Sequence, residues 1–305
     1  MHKSVLLDEC LEYLNIKETD IIVDCTLGYG GHSSNILKKI KRGFLFAFDQ
    51  DKEAIDFSKK RLDEISENYE IIKSNFENIK EELKKRNIKK VNGILYDIGV
   101  SSPQLDEEER GFSFHKDAKL DMRMDTTQKF SAYELVNTYE YKDLVRVFTN
   151  YGEEKYSTSI AKNIIKARKE KPIETTLELV EIIKNSVPEK YKREKHPARK
   201  VFQAIRIEVN NELAVFEHSL KDALDLIDIN GRICVITFHS LEDKICKEIF
   251  KKVSEVDTNL KRLPVIPEEY LPKYKVIANI KPSKKEQEEN KRARSAKLRV
   301  IERIK

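Results

Sequence analysis

Between residues 20 and 98, short apolar runs alternate with segments whose apolar residues recur at helical spacing. The alternation predicts strands over 20–25, 43–48, 69–73 and 91–97, with helices over 31–41, 51–65 and 77–87 between them. Repeated strand–helix units of this length imply a parallel, doubly wound α/β sheet. From 106 to about 207 the strand signal vanishes, and helical segments follow one another at 131–137, 141–150, 154–170 and 174–186, with a long one over about 197–228. Strand character returns at 232–238, a helix is predicted over 241–253, and the alternating stretches 274–280 and 298–304 suit an antiparallel hairpin. The simplest organisation is a discontinuous sheet domain, 1–105 and 208–305, interrupted by an all-helical insertion, 106–207.

The chain of 305 residues is 39% hydrophobic and 36% charged, enough apolar material for a sizeable core under a heavily ionic surface. Acids at Asp8 and Glu9 break the first apolar stretch too early for a signal peptide, and no segment approaches the roughly 20 apolar residues of a membrane span. A cytoplasmic protein with no membrane partner is expected. Cys10, Cys25, Cys234 and Cys246 are scattered and lack paired spacing, so neither disulfides nor a metal is expected. Net charge is +5, but 281–305 carries ten Lys/Arg against four Glu, so all of the excess sits in that stretch. A polyanionic partner is one reading, and a solubilising basic tail is the other.

The turn after the first strand, Asp24-Cys-Thr-Leu-Gly-Tyr-Gly-Gly-His-Ser33, places Gly28, Gly30 and Gly31 at the mouth of a helix, where backbone N–H groups come close to a ligand. Asp49 ends the second strand about 20 residues on, at the spacing of a carboxylate that binds ribose hydroxyls. A pyrophosphate site would want glycine at Ser33, and Asp24 would repel a phosphate but hold an amino group. An adenosine cofactor with a cationic amino-acid arm, S-adenosylmethionine, fits these residues better than a dinucleotide; alternatively Asp24 merely caps the turn. The fourth strand ends in Asp97-Ile-Gly-Val-Ser-Ser-Pro-Gln104, which should face the reactive end of the cofactor, and the fifth in Thr237-Phe-His-Ser240. His239 either lines this rim or makes a structural hydrogen bond.

Together with Leu6-Leu-Asp-Glu9, Arg110-Gly-Phe-Ser-Phe114, Leu120-Asp-Met-Arg-Met-Asp125, Phe202-Gln-Ala-Ile-Arg-Ile-Glu-Val-Asn-Asn-Glu-Leu213, Phe238-His-Ser-Leu-Glu-Asp243 and Arg292-Ala-Arg-Ser-Ala-Lys-Leu-Arg299, these motifs resemble the ribosomal RNA small subunit methyltransferase H family, also called MraW. The resemblance spans essentially the whole chain, in order. It implies a class I, Rossmann-like S-adenosylmethionine-dependent methyltransferase sheet with an inserted helical substrate domain. The implied activity is methylation of the exocyclic N4 amine of one cytidine in the decoding region of 16S ribosomal RNA, within the small ribosomal subunit. Monomer and homodimer both stay open. Cys25 stands where the family commonly has glycine or alanine, and Lys291 replaces a usual proline.

Carried over by motif, cofactor contacts fall on Gly30, Gly31, His32, Asp49, Phe76, Asp97 and Gln104, beside the Asp24 and Gly28 read from the turn. Phe76 is either an adenine platform or a plain core residue. Candidates to accept the hydrogens of the target amine are Asp97, the Ser101–Ser102 pair and His239. On the substrate side, Arg206, Asn210 and Glu212 either face the RNA or form an internal network. Arg110, Arg123, Arg199, Arg292, Arg294 and Arg299 suit phosphates, and Met122 and Met124 suit packing. A nicotinamide oxidoreductase and a non-catalytic RNA-binding protein are the alternatives from other classes.

Overall fold

The computed structural model describes residues 4–99, 110–194, 196–257, 259–262 and 265–305. It divides into two compact units, Met1–Gly99 with Leu213–Lys305, and Val100–Glu212. The expected boundary at 105/106 lies outside the described residues. The one expected at 207/208 falls inside the helix Ala198–Asn210, whose Val209 is still buried in the helical core, so that unit runs on to Glu212.

The first unit carries strands β1 (Ile21–Asp24), β2 (Phe44–Asp49), β3 (Tyr69–Lys73), β4 (Val91–Asp97), β5 (Ile227–Thr237), β6 (Tyr274–Ile280) and β7 (Lys297–Arg303) in one sheet of order β3-β2-β1-β4-β5-β7-β6. β1 to β5 pair in parallel, while β7 runs antiparallel to both β5 and β6. Both faces are covered, and side-chain alternation shows it: Ile22, Leu45, Ala47, Leu95 and Cys234 enter one apolar layer, and Val23, Phe46, Phe48, Tyr96 and Val235 the other. Helices α1 (Leu7–Tyr13), α2 (Gly31–Leu37), α3 (Lys52–Asp63) and α4 (Ile79–Lys85) belong to the first half of this unit. β5 starts five residues earlier than its apolar pattern indicates. It passes through a bulge opposite Val91–Gly93, with Asn230 left-handed at φ 65°.

The helical unit holds α5 (Ala132–Thr138), α6 (Tyr141–Asn150), α7 (Ser157–Glu170), α8 (Thr176–Asn185), α9 (Glu189–Glu194) and α10 (Ala198–Asn210), packed around Leu144, Phe148, Ile160, Leu179 and Ile205. Ser131 and Thr175 open α5 and α8 with capping boxes to Glu134 and Glu178. The long helix expected over 197–228 is two, α10 and α11 (Glu212–Leu226). Asn211 breaks it by adopting φ 50°, ψ 34°, a left-handed conformation that asparagine tolerates better than most residues. β5 leads into α12 (Ser240–Ser254), and α13 (Lys284–Glu289) follows β6. No helix is long and apolar enough to cross a membrane among the described residues.

Candidate active site

At the carboxyl ends of the parallel strands the chain turns sharply, and the glycine turn after β1 is held from behind. Asp24 is fully buried; its carboxylate accepts hydrogen bonds from Thr26 N at 3.0 Å and Ser33 Oγ at 2.6 Å. This corrects the expectation that Asp24 meets a ligand amine, since no part of it is accessible. Gly28 (φ 49°) donates its N–H to Asp49 Oδ2 at 2.9 Å, and its carbonyl accepts from Ser58 Oγ at 2.6 Å. Among the described residues, no atom beyond its own chain neighbours lies within 4 Å of where a Gly28 side chain would begin. The other two glycines are small for the sake of the chain. A Cβ on Gly30 (φ 69°) would sit 3.2 Å from Ser58 Oγ, and one on Gly31 would collide with Ser4 Oγ at 2.0 Å.

Two carboxylates end the neighbouring strands. Asp49, at the tip of β2, accepts from Gly28 N with one oxygen and from Asp51 N with the other, at 2.9 Å. Burial outweighs these bonds and pushes its carboxyl up to about 6. Asp97, at the tip of β4, is likewise raised to about 6 by burial, with Asp24 and Glu242 adding like charge and His32 opposing. A shift of that size corresponds to about 3 kcal/mol, roughly one well-buried leucine, so the core can hold the group in an unfavourable place. The backbone N–H of Asp97 donates to Thr26 Oγ1 at 2.7 Å, and its Oδ2 lies 3.5 Å from His32 Nδ1. Among the described residues, Oδ1 is buried without a hydrogen-bond partner. His32 is 4% exposed, and its Nε2 faces the Val5 carbonyl at 3.2 Å.

The tip of β5 differs from expectation. His239 is the N-cap of α12: Nδ1 accepts from Glu242 N at 3.5 Å, and Nε2 lies 2.8 Å from Glu242 Oε1 but out of line for a hydrogen bond. Both ring nitrogens thus turn back onto their own helix, which corrects the assignment of His239 as an acceptor for substrate. Glu242 is the residue that motif reading missed: it is 1% exposed and takes the Phe238 and His239 N–H groups on Oε2 at 2.7 and 3.3 Å. Its spacing of three after His239 is a capping-box signal. Phe76 is half-buried, makes an edge-to-face contact with Tyr96 at 5.7 Å, and packs on the core. Ser101, Ser102 and Gln104 lie outside the described residues.

In the helical unit the expected RNA contacts are mostly internal. Arg123 grips Asp121 with Nε and Nη2, both at 2.7 Å, and donates Nη1 to the Thr126 and Gln128 carbonyls. Arg110 donates to the Arg123 and Met124 carbonyls. Arg206 forms a two-pronged pair with Glu212 at 2.8 Å across the Asn211 break. Asn210 donates to the Met122 and Arg206 carbonyls and accepts from Met124 N at 2.7 Å. For Arg123, Arg206 and Asn210 these bonds correct the phosphate or substrate role: the groups brace the loop and the helix break. Asn210→Ala is expected to destabilise the fold by about 2–3 kcal/mol, because Met124 N–H is left without its acceptor. Thermal melting checks this, and RNA affinity measured on folded protein should change less than about twofold.

At the basic end of the chain, Arg299 and Lys297 close on Asp243 at 2.7 and 2.8 Å. Arg299 therefore ties β7 to α12 and is not open to phosphate. Arg292 is half-buried and Arg294 exposed, with Lys284, Lys285 and Lys291 exposed nearby in sequence; Arg199, in the helical unit, is also exposed.

A seven-stranded sheet with one antiparallel strand near its edge, carboxylates at the tips of β2 and β4, and Ser33 where a dinucleotide turn has its third glycine define a Rossmann-like methyltransferase fold rather than a dinucleotide site. The model of the MraW methylase family matches residues 1–304, and the chain belongs to that family. It is 52% identical to the ribosomal RNA small subunit methyltransferase H of Exiguobacterium sibiricum, over all of this chain and 98% of that one. Among solved structures it is similar to an rRNA methylase from Streptococcus thermophilus (12% identity, TM-score 0.44, covering 100% and 99% of the two chains). Another is a Streptococcus mutans protein in complex with SAH (13%, 0.45, 99% and 99%). The chain is an S-adenosylmethionine-dependent methyltransferase, and the nicotinamide alternative falls.

Proposed function

We propose that this chain methylates the exocyclic N4 amine of a cytidine in the decoding region of 16S ribosomal RNA, in the bacterial cytoplasm. The name of the Exiguobacterium relative and the motifs above support the substrate. One observation carries the chemistry: Oδ1 of Asp97 at the tip of β4, buried and without a partner among the described residues. A buried acceptor without a donor costs stability, and it is retained where a ligand brings the donor.

The residues present fit the cofactor. The donor set at the strand tips is carboxylate, suited to hydroxyls and a cation and unsuited to phosphate. Asp49 would hold ribose hydroxyls, the open side of Gly28 would let the ligand approach the chain closely, and Phe76 would lie against adenine. When bound, S-adenosylmethionine supplies an electrophilic methyl group. The chain supplies orientation, because the N4 lone pair of cytosine is delocalised into the ring and is a poor nucleophile. Asp97 accepts one amine hydrogen, which draws the lone pair out of conjugation. Forming the N–C bond would break the methyl–sulfur bond and release the neutral thioether, and Asp97 would take that hydrogen as a proton from the nitrogen made cationic. His32, whose Nε2 faces the Val5 carbonyl, sets Nδ1 3.5 Å from the other carboxylate oxygen. The cytidine must be unpaired or flipped to expose its Watson–Crick edge.

Arg292 and Arg294 are proposed to meet the RNA backbone. Reversing both to Glu is expected to weaken binding and to lower the log–log salt slope by about 1.5 to 2; unchanged affinity between low and high salt would return this segment to a solubility role. The function itself is tested by incubating small-subunit RNA and assembled subunits, from cells lacking the gene, with labelled S-adenosylmethionine and digesting to nucleosides. Label in N4-methylcytidine is expected. RNA binding without label would favour a binding module.

A further inference from the structure

The segment 4–6 lies against the cofactor turn at two successive residues, and the third is held by the other end of the sequence. Ser4 Oγ fills the space beside Gly31, the Val5 carbonyl faces His32 Nε2, and Leu6 is buried with φ 52° and ψ 34°. A leucine adopts that left-handed backbone only when its surroundings hold it there. The holding contact comes from the other end of the sequence: Leu6 N–H donates to Glu286 Oε1 at 2.7 Å, across 280 residues. Glu286 is itself fixed on α13, where its own N–H donates to Ser283 Oγ at 3.1 Å. A continuous series of contacts therefore runs from Glu286 through Leu6 and Val5 to His32, and from His32 to Asp97.

We propose that Glu286 is a positioning residue for the cofactor site: it latches the 4–6 segment in its strained form, and so seats the glycine turn and His32. This rests on the assignment of the strand tips as the S-adenosylmethionine site. Glu286 touches neither cofactor nor substrate, and it acts only by accepting the Leu6 N–H. What matters is then the reach of an acceptor oxygen, and not the charge of the carboxylate.

Two variants separate these properties, with Glu286→Ala as the full deletion. Glu286→Gln keeps the reach and loses the charge, while Glu286→Asp keeps the charge and withdraws the oxygen by one methylene. Dissociation constants for S-adenosylmethionine, measured by calorimetry on the full chain, are expected to stay within about twofold of the parent for Gln and to rise about tenfold for Asp and Ala. Melting temperatures of the Gln and Asp variants should stay close together, so the split in affinity does not reflect loss of fold. If Glu286→Ala fails to fold, the Gln and Asp pair decides alone. Equal affinity in all variants, or loss with Gln and retention with Asp, overturns the latch. A parent protein that does not bind S-adenosylmethionine overturns the cofactor assignment and the latch with it.

Discussion

Replacing Asp49 with alanine is expected to weaken S-adenosylmethionine binding at least 100-fold while leaving a folded protein. Two effects act together. The carboxylate ends β2, where ribose hydroxyls are proposed to bind, and charge-assisted hydrogen bonds contribute about 1.5–3 kcal/mol each. It also accepts the Gly28 N–H at 2.9 Å, which shapes the turn where Gly28 leaves space beside the chain. Losing about 3 kcal/mol corresponds to roughly two decades in the dissociation constant. Calorimetry against the parent reads this directly, and a change smaller than about threefold would remove Asp49 from the site. Asp49→Asn, which keeps an acceptor oxygen, should lie between the two.

Asp97→Asn is expected to lower kcat about 100- to 1,000-fold and at the same time to stabilise the ligand-free protein. The rate falls because an amide cannot receive the proton that leaves the amine, and it is a weaker acceptor during attack. The stability change follows from linkage. The folded carboxyl titrates at about 6 against an ordinary value near 3.8, so folding favours its protonated form. Stability from this group is therefore lost as pH rises from about 4 to about 6, and at pH 7 the ionised carboxylate carries its full burial cost. Asparagine removes that cost. The variant should melt about 5 °C above the parent at pH 7.5, and the advantage should vanish below about pH 4. The same titration sets the sign for activity: turnover falls as pH drops through about 6 or below, since the bound cation favours the ionised form. A variant with normal kcat would remove Asp97 from the chemistry.

Much of the sheet was legible because its strands are buried on both faces and read as continuous apolar runs, with β1, β2, β3 and β4 recovered to within a residue or two. The errors have local causes. Periodicity continues through Asn211, so only the backbone conformation shows that the long helix is two. α9 and α13 are short and rich in charge, and their apolar residues are too few to mark a face, while α1 spans only seven residues. At the site, strand-end position drew attention to Asp49 and Asp97, with the spacing from the glycine turn for Asp49 and the family motifs for both. Partners far apart in sequence were not legible: Asp24 could not be seen to face Ser33 and Thr26, nor Gly31 to be pressed by Ser4, because both depend on how the turn folds back. The arginines show the same limit. A guanidinium suited to a phosphate is equally suited to Asp121, Glu212 or Asp243, and composition does not distinguish these partners.

The most direct test of the account is a calorimetric titration of the purified chain with S-adenosylmethionine, in the absence of RNA. One site per chain with micromolar or tighter affinity is expected, weakened by Asp49→Ala and by acidification through about pH 6. No detectable binding at any pH or salt concentration would contradict the assignment of the strand tips as the donor site, and the catalytic proposal built on Asp97 would fall with it.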